Sequence, residues 1–104
     1  MNASPASFQP IFWTDLLDAS SWYEEQDPGV GRRFEEAVLV AVKLVLERPL
    51  AYGVIQAPYR RALVPKFRHK VIFVVEPKSV LFIGVVHGMR DLPRWLKRRQ
   101  AEEH

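Results

Sequence analysis

His87 is the side chain in this sequence best suited to moving a proton near neutral pH, because an unperturbed imidazole titrates close to that range. It stands in the segment VVHGMRDLPRW, Val85 to Trp95, shortly before Arg90. A guanidinium can hold a phosphate through two parallel hydrogen bonds, so the pair suits chemistry on, or binding of, a phosphodiester. Further cations lie upstream: Arg60 and Arg61 in YRRALV, then Lys66, Arg68 and Lys70 in PKFRHK. The plainer alternative makes His87 a hydrogen-bonded structural residue where a strand ends. Both readings are open at this level.

Which of these cations meets His87 depends on strand pairing. FRHKVIFVVE and SVLFIGVV are rich in β-branched and aromatic residues, and EPKS between them has the composition of a turn. With Pro77 and Lys78 at the tip and Glu76 opposite Ser79, Val74 faces Leu81, Ile72 faces Ile83 and Lys70 faces Val85. Arg68 then faces His87, and directly opposed residues share one face of a sheet. A slip of one residue would undo this cluster. His69 has the opposite parity, with Val71 and Phe73, and is expected to be structural or at a sheet edge.

The remaining elements must carry this hairpin. FQPIFW reads as a short strand, with Pro10 at its start or on a sheet edge. Thr14 is the expected N-cap of a first helix, with Asp15 in its first turn and Leu16, Ala19, Trp22 and Tyr23 at helical spacing through about Gln26. Asp27 and Pro28 are the expected cap and first residue of a second helix that runs to Arg48 and is ended by Pro49. So tight a junction predicts an antiparallel helical hairpin. Phe34, Val38, Ala41, Val42 and Val45 form the core stripe of the second helix, and Trp22, Tyr23 and Phe34 are expected to join both helices to the sheet. Leu39, Val40 and Leu46 fall partly outside the stripe, which points to a surface offered to a partner. Leu50 to Pro58 reads as a loop, YRRALV as a strand closed by Pro65, and the tail RWLKRRQAEEH as a short basic helix. Trp95 is expected to anchor that tail on the core, and LKRRQAEEH to be a solvated helix end.

Length and composition bound these readings. A chain of 104 residues, 48% hydrophobic, suits one small globular domain spanning residues 1–104. The absence of Cys excludes disulfides and thiolate metal sites, and His69, His87 and His104 lack metal-ligand spacing, so neither metal nor other cofactor is expected. MNASPASFQPIFWTDLLD has no basic, then apolar, leader pattern, and no apolar run is long enough for a bilayer. A cytoplasmic protein without membrane contact is the expectation. The net charge of +3 divides unevenly: residues 1–50 carry −4 and residues 51–104 carry +7. A basic half suits an anionic partner, nucleic acid or acidic protein, as well as a solvated face.

The segments DLLDASSWYEEQDPGVGRRFEEAV, RRALVPKFRHKVIFVVE and VVHGMRDLPRW, in this order, resemble the RelE/ParE superfamily of toxins from bacterial type II toxin–antitoxin modules, the plasmid-stabilisation type. The likeness covers roughly residues 8 to 99. It implies an α+β fold in which an N-terminal strand and a helical hairpin pack on a mostly antiparallel sheet, followed by a short basic C-terminal helix. It also implies a growth inhibitor neutralised by a cognate antitoxin in a hetero-oligomer. An amphipathic antitoxin segment would then dock on Leu39, Val40 and Leu46.

The resemblance implies two alternative activities. ParE-like members inhibit DNA gyrase, and the reading leans to that side. RelE-like members are metal-independent endoribonucleases that cut messenger RNA on the ribosome. In the second case His87, Arg68, Arg90 and Lys66 would be the catalytic set, with Arg60, Arg61 and Lys70 adding phosphate-binding charge. The tail has no tyrosine, although several RelE-like nucleases carry one near the C-terminus. A third alternative is a non-toxic, autoregulatory partner of the antitoxin.

Overall fold

The computed structural model describes residues 5–88 and 90–102. The first four residues, Met89, and the last two residues of the expected tail helix lie outside the described residues. Strand β1 (Ala6–Phe8) leads into α1 (Pro10–Gln26) and α2 (Val30–Glu47). After a 3-10 turn over Pro49–Ala51 come β2 (Val54–Gln56), β3 (Tyr59–Leu63), β4 (His69–Val75), β5 (Val80–His87) and α3 (Leu92–Glu102). The sheet order is β1-β5-β4-β3-β2, with β1 parallel to β5 and every other pairing antiparallel. The expected α+β architecture is present.

The helices start at other places than the sequence suggested. Proline opens α1: Pro10 sits at its first position, where a fixed φ and a missing N–H cost nothing, and Gln9 takes the cap position instead of Thr14. The Gln9 N–H donates to the Phe82 carbonyl at 3.0 Å, so the chain leaves the sheet and enters the helix within two residues. The expected strand FQPIFW therefore ends at Phe8, and Asp15 lies in the helix body, free of any capping role. The second helix begins at Val30, behind Gly29 rather than behind Asp27. Gly29 has φ 91°, a left-handed conformation that costs a glycine little. Its N–H and that of Gly31 donate to the Glu24 carboxylate at 2.9 and 3.0 Å, so α1 supplies the acceptor for the start of α2. Pro49 ends α2 as expected, with Arg48 as its C-cap.

Two apolar layers flank the sheet. The helical hairpin covers one face with Phe12, Leu16, Phe34, Val38, Val42 and Val45, against Val71, Phe73, Val80, Phe82 and Val85. On the other face α3 places Leu92 and Leu96 over Ile72, Ile83 and Val86. The alternation along β4, with Val71 and Phe73 on one side and Ile72 on the other, follows from the period of two. Tyr23 and Phe34 join helices and sheet, with rings 4.9 Å apart, and both meet Phe67. Trp22 does not share that role: it is 53% exposed, one step off the Ala19–Tyr23 line, with its ring edge-on to Tyr23. The Leu50–Pro58 loop in fact holds β2, an edge strand of three residues between Gly53 and the cis Ala57–Pro58 bond, too short to show alternation in sequence.

The register of the β4–β5 hairpin carries the main correction. Its tip is as expected: Glu76 N–H bonds the Ser79 carbonyl at 2.8 Å, and Val75 faces Val80, Val74 faces Leu81 and Phe73 faces Phe82. An extra residue then enters β5 as a bulge, so Ile72 faces Gly84, Lys70 faces Val86 and His69 faces His87. Arg68 is not opposite His87. The bulge moves every pair beyond it by one residue and brings the second histidine, not the arginine, beside the first.

Candidate functional site

The bulge lies where β5 loses its neighbour. β1 pairs with Val80 to Phe82 only, which leaves the outer edge of β5 with backbone groups in need of partners. Two side chains supply them. Asp15 Oδ2 accepts the Val85 N–H at 3.0 Å, and Arg99 Nη1 donates to the Ile83 carbonyl at 3.3 Å. The two side chains also join each other, Arg99 Nη2 to Asp15 Oδ1 at 3.0 Å, in an ion pair whose side chains are 8% and 15% exposed. Burial raises the Asp15 pKa above its ordinary value, against the opposing pull of its bonds to Arg99 and Val85. The Arg99 guanidinium also lies 4.6 Å from the Trp95 ring centre. The latch ties α1, β5 and α3 together at one point.

Gly84 makes room for it. A Cβ there would lie 2.5 Å from Asp15 Oδ2 and 2.9 Å from the Trp95 ring. Gly84→Ala is therefore expected to destabilise the fold by about 1–3 kcal/mol, the usual range for an overpacked site. Chemical denaturation measures this, and an unchanged midpoint would mean that Asp15 and Trp95 both move aside freely.

Beside the latch opens a cleft of about 360 Å³. Asp15, Asp18 and Ala19 of α1 line one wall, His69, Val85 and His87 the sheet wall, and Arg90, Trp95 and Arg98 the C-terminal wall. His69 is buried, and its Nδ1 shares a hydrogen bond of 3.1 Å with the Tyr23 hydroxyl. Its ring stands edge-on to Phe34 at 5.0 Å and to His87 at 5.0 Å. Burial, followed by the charge of His87, lowers the His69 pKa to about 4, so the ring is neutral at physiological pH. An imidazole pair with arginines at its mouth can pass a proton or hold an anion.

Of the residues singled out in sequence, His87 and Arg90 line this cleft. Arg68 is exposed at the approach to β4, and its carbonyl accepts the Gly88 N–H. Lys66 is exposed with φ 70°, in the turn before β4. Lys70 pairs with Leu63 and has the parity of Ile72, which places it with Arg61 on the α3 side of the sheet. Arg60 is committed elsewhere, its Nη1 donating to the Tyr52 carbonyl at 2.6 Å. The single cluster expected from sequence is thus distributed over two faces. Leu39 and Val40 are 49% and 52% exposed, whereas Leu46 is half-buried against the core. Trp95 is half-buried in the α3 layer, as expected of an anchor. Among the described residues no three His, Asp or Glu side chains are grouped to hold a metal ion.

Sequence reasoning missed Asp15, Arg99 and the role of His69. A signal for Arg99 existed: it extends the Leu92–Leu96 stripe of α3 by one more turn and so had to face the sheet. None existed for Asp15, whose partners stand some 70 and 84 positions away.

No protein-family model matches the chain, and no curated protein is matched by it. Among solved structures, the chain is similar to a chain of the chromosomal ParDE toxin–antitoxin system from P. aeruginosa, with a TM-score of 0.73 at 11% identity, over 82% of this chain and 96% of that one. It is also similar to the E. coli toxin RelE, solved in the free state as a double arginine-to-alanine mutant, with a TM-score of 0.66 at 14% identity, over 93% and 98% of the two chains. Helical hairpin, five-stranded sheet and closing helix together form the RelE/ParE toxin fold, and this chain has that fold.

Proposed function

We propose that this chain is the toxin of a toxin–antitoxin module, a growth inhibitor silenced by a cognate antitoxin, and that it acts on DNA gyrase in the ParE manner. The toxin reading is supported by the fold shared with the ParDE and RelE structures over most of the chain. The choice of target rests on one observation. The bulge in β5 sets His87 against a neutral, buried His69, while Lys66, Arg68 and Lys70 stand outside the cleft. Metal-free RNA cleavage asks for a base, an acid and phosphate-holding cations converging on one bond. Here the cations of the central strand do not converge on the histidine.

A second reading, RelE-like cutting of messenger RNA on the ribosome, is supported by His87, Arg90 and Arg98 sharing one cleft. Purified ribosomes carrying a message separate the two. The gyrase reading expects intact message; cuts at A-site codons that disappear in His87→Ala with Arg90→Ala would establish the ribonuclease.

The antitoxin is proposed to dock on the outer face of α2, where Leu39, Val40 and Leu44 are exposed. Leu39→Glu with Val40→Glu is expected to leave the melting temperature nearly unchanged but to weaken antitoxin binding about 100-fold, the scale of two lost anchors. Titration calorimetry with the cognate antitoxin measures this, and undiminished affinity would move the interface to another face.

A further inference from the structure

The C-terminal arm carries cations that the latch does not use, and two of them, Arg90 and Arg98, stand between the histidine cleft and a second hollow. In α3, Leu92, Leu96 and Arg99 are buried against the sheet. The helical period turns Arg94, Lys97 and Arg98 outward, and all three are exposed, as is Arg90 just ahead of the helix. Arg90, Arg94 and Arg98 line a second hollow of about 260 Å³ together with Asp91 and Trp95. Among the described residues none of the three arginines is ion-paired. Asp91 is turned to the helix start, with Oδ1 accepting the Arg94 N–H at 3.2 Å. Like charges at this spacing repel one another, so the arrangement costs stability unless an anion occupies it.

We infer that the Arg90–Arg94–Arg98 hollow binds the phosphodiester backbone of a nucleic acid, without reading its bases. Guanidinium forks match phosphate oxygens in a way that lysine does not. Lys97 on the same helix, and Arg61 and Lys70 on the same side of the sheet, add positive charge to this face, which suits a polyanion. An acidic peptide fits less well. Peptide interfaces depend on apolar anchors, and among the described side chains of α3 the exposed ones are Pro93, Arg94, Lys97, Arg98, Gln100 and Ala101. The inference does not depend on the target, because DNA held by gyrase and RNA held by the ribosome present the same backbone.

Fluorescence anisotropy of the full chain with a short labelled DNA duplex, and separately with a single-stranded RNA, tests this without gyrase or ribosomes. Affinity is expected to be indifferent to base sequence and to fall steeply as salt rises. Arg94→Gln with Arg98→Gln should weaken duplex binding about tenfold and reduce the salt slope by roughly 1.8, the equivalent of two phosphate contacts. Both residues are exposed, so melting curves should show an intact fold. Binding of only one of the two probes identifies DNA or RNA as the source of the backbone. An unaltered salt slope in the double variant, no binding by the wild type, or displacement of the duplex by polyglutamate at equal charge would each overturn the inference.

Discussion

Replacing Arg99 with methionine should cost the fold about 3–5 kcal/mol, the scale set by removing one partner from a buried ion pair. Three groups lose their partner together: the Asp15 carboxylate, the Ile83 carbonyl and the face of Trp95. The raised pKa of Asp15 indicates that its charge is already held at a cost in the folded chain, so the pair is not itself a large net stabiliser. The loss comes from stranding the carboxylate. Two further results follow from that distinction. Asp15→Asn combined with Arg99→Met should be more stable than Arg99→Met alone, because the amide oxygen still accepts the Val85 N–H and no charge is stranded. In the single variant the deficit should narrow as pH falls, since Asp15 can then take up a proton. Urea denaturation of the three proteins measures all of this, and a loss below about 1 kcal/mol would mean that the pair behaves as a solvated surface pair.

Stability should also fall sharply as the solution is acidified, and His69 is the cause. Its pKa is lowered from 6.5 to about 4 in the fold, so between these values the unfolded chain binds a proton that the folded chain refuses. The stability associated with the neutral ring is fully present above pH 6.5 and is lost progressively as pH falls toward 4. The shift corresponds to roughly 3 kcal/mol at its full extent. The surroundings explain the direction. Tyr23 from α1, Phe34 from α2, and Phe67 enclose the region, and His87 on β5 adds like charge once protonated. Arg90 and Arg98 line the same cleft, with Asp15 and Asp18 opposite them. Asp15 works the other way: its raised pKa makes the folded chain the better proton acceptor just above pH 3.8, so its share of the stability declines as pH rises through that range. His69→Gln, which removes the titration and keeps hydrogen-bonding capacity toward Tyr23, should flatten the profile between pH 4 and 6.5. Equal slopes in wild type and variant would assign the acid sensitivity to other groups.

The architecture was legible because its signals are local and periodic. The core stripe of α2 from Phe34 to Val45 is buried throughout, and the strands β3 to β5 lie where β-branched composition put them. What eluded the sequence was set by tertiary context. The start of α1 moved to Pro10 because a proline at a first helical position is favourable whether or not a hydroxyl cap follows. The start of α2 moved to Val30 because a glutamate of the preceding helix caps it. The most consequential error was one residue long. A bulge leaves no mark on hydrophobic alternation when the strand beyond it is apolar on both faces, as Ile83 to Val86 is. That single insertion exchanged Arg68 for His69 as the neighbour of His87, and with it a phosphate-binding strand end for an imidazole pair of which one ring is buried and the other half-buried. Charge asymmetry was visible in the sequence, but the fold decides its use: Arg99 went into the interior, Arg60 to a backbone carbonyl, and Arg90, Arg94 and Arg98 to one hollow.

The proposal that this RelE/ParE fold serves a gyrase inhibitor is tested most directly by incubating the purified full chain with DNA gyrase, ATP and relaxed plasmid. The expected result is loss of supercoiling together with protein-linked double-strand breaks in the plasmid, both prevented by prior addition of the cognate antitoxin. Unimpaired supercoiling with no linked breaks, at a concentration of the chain that arrests growth, would contradict it.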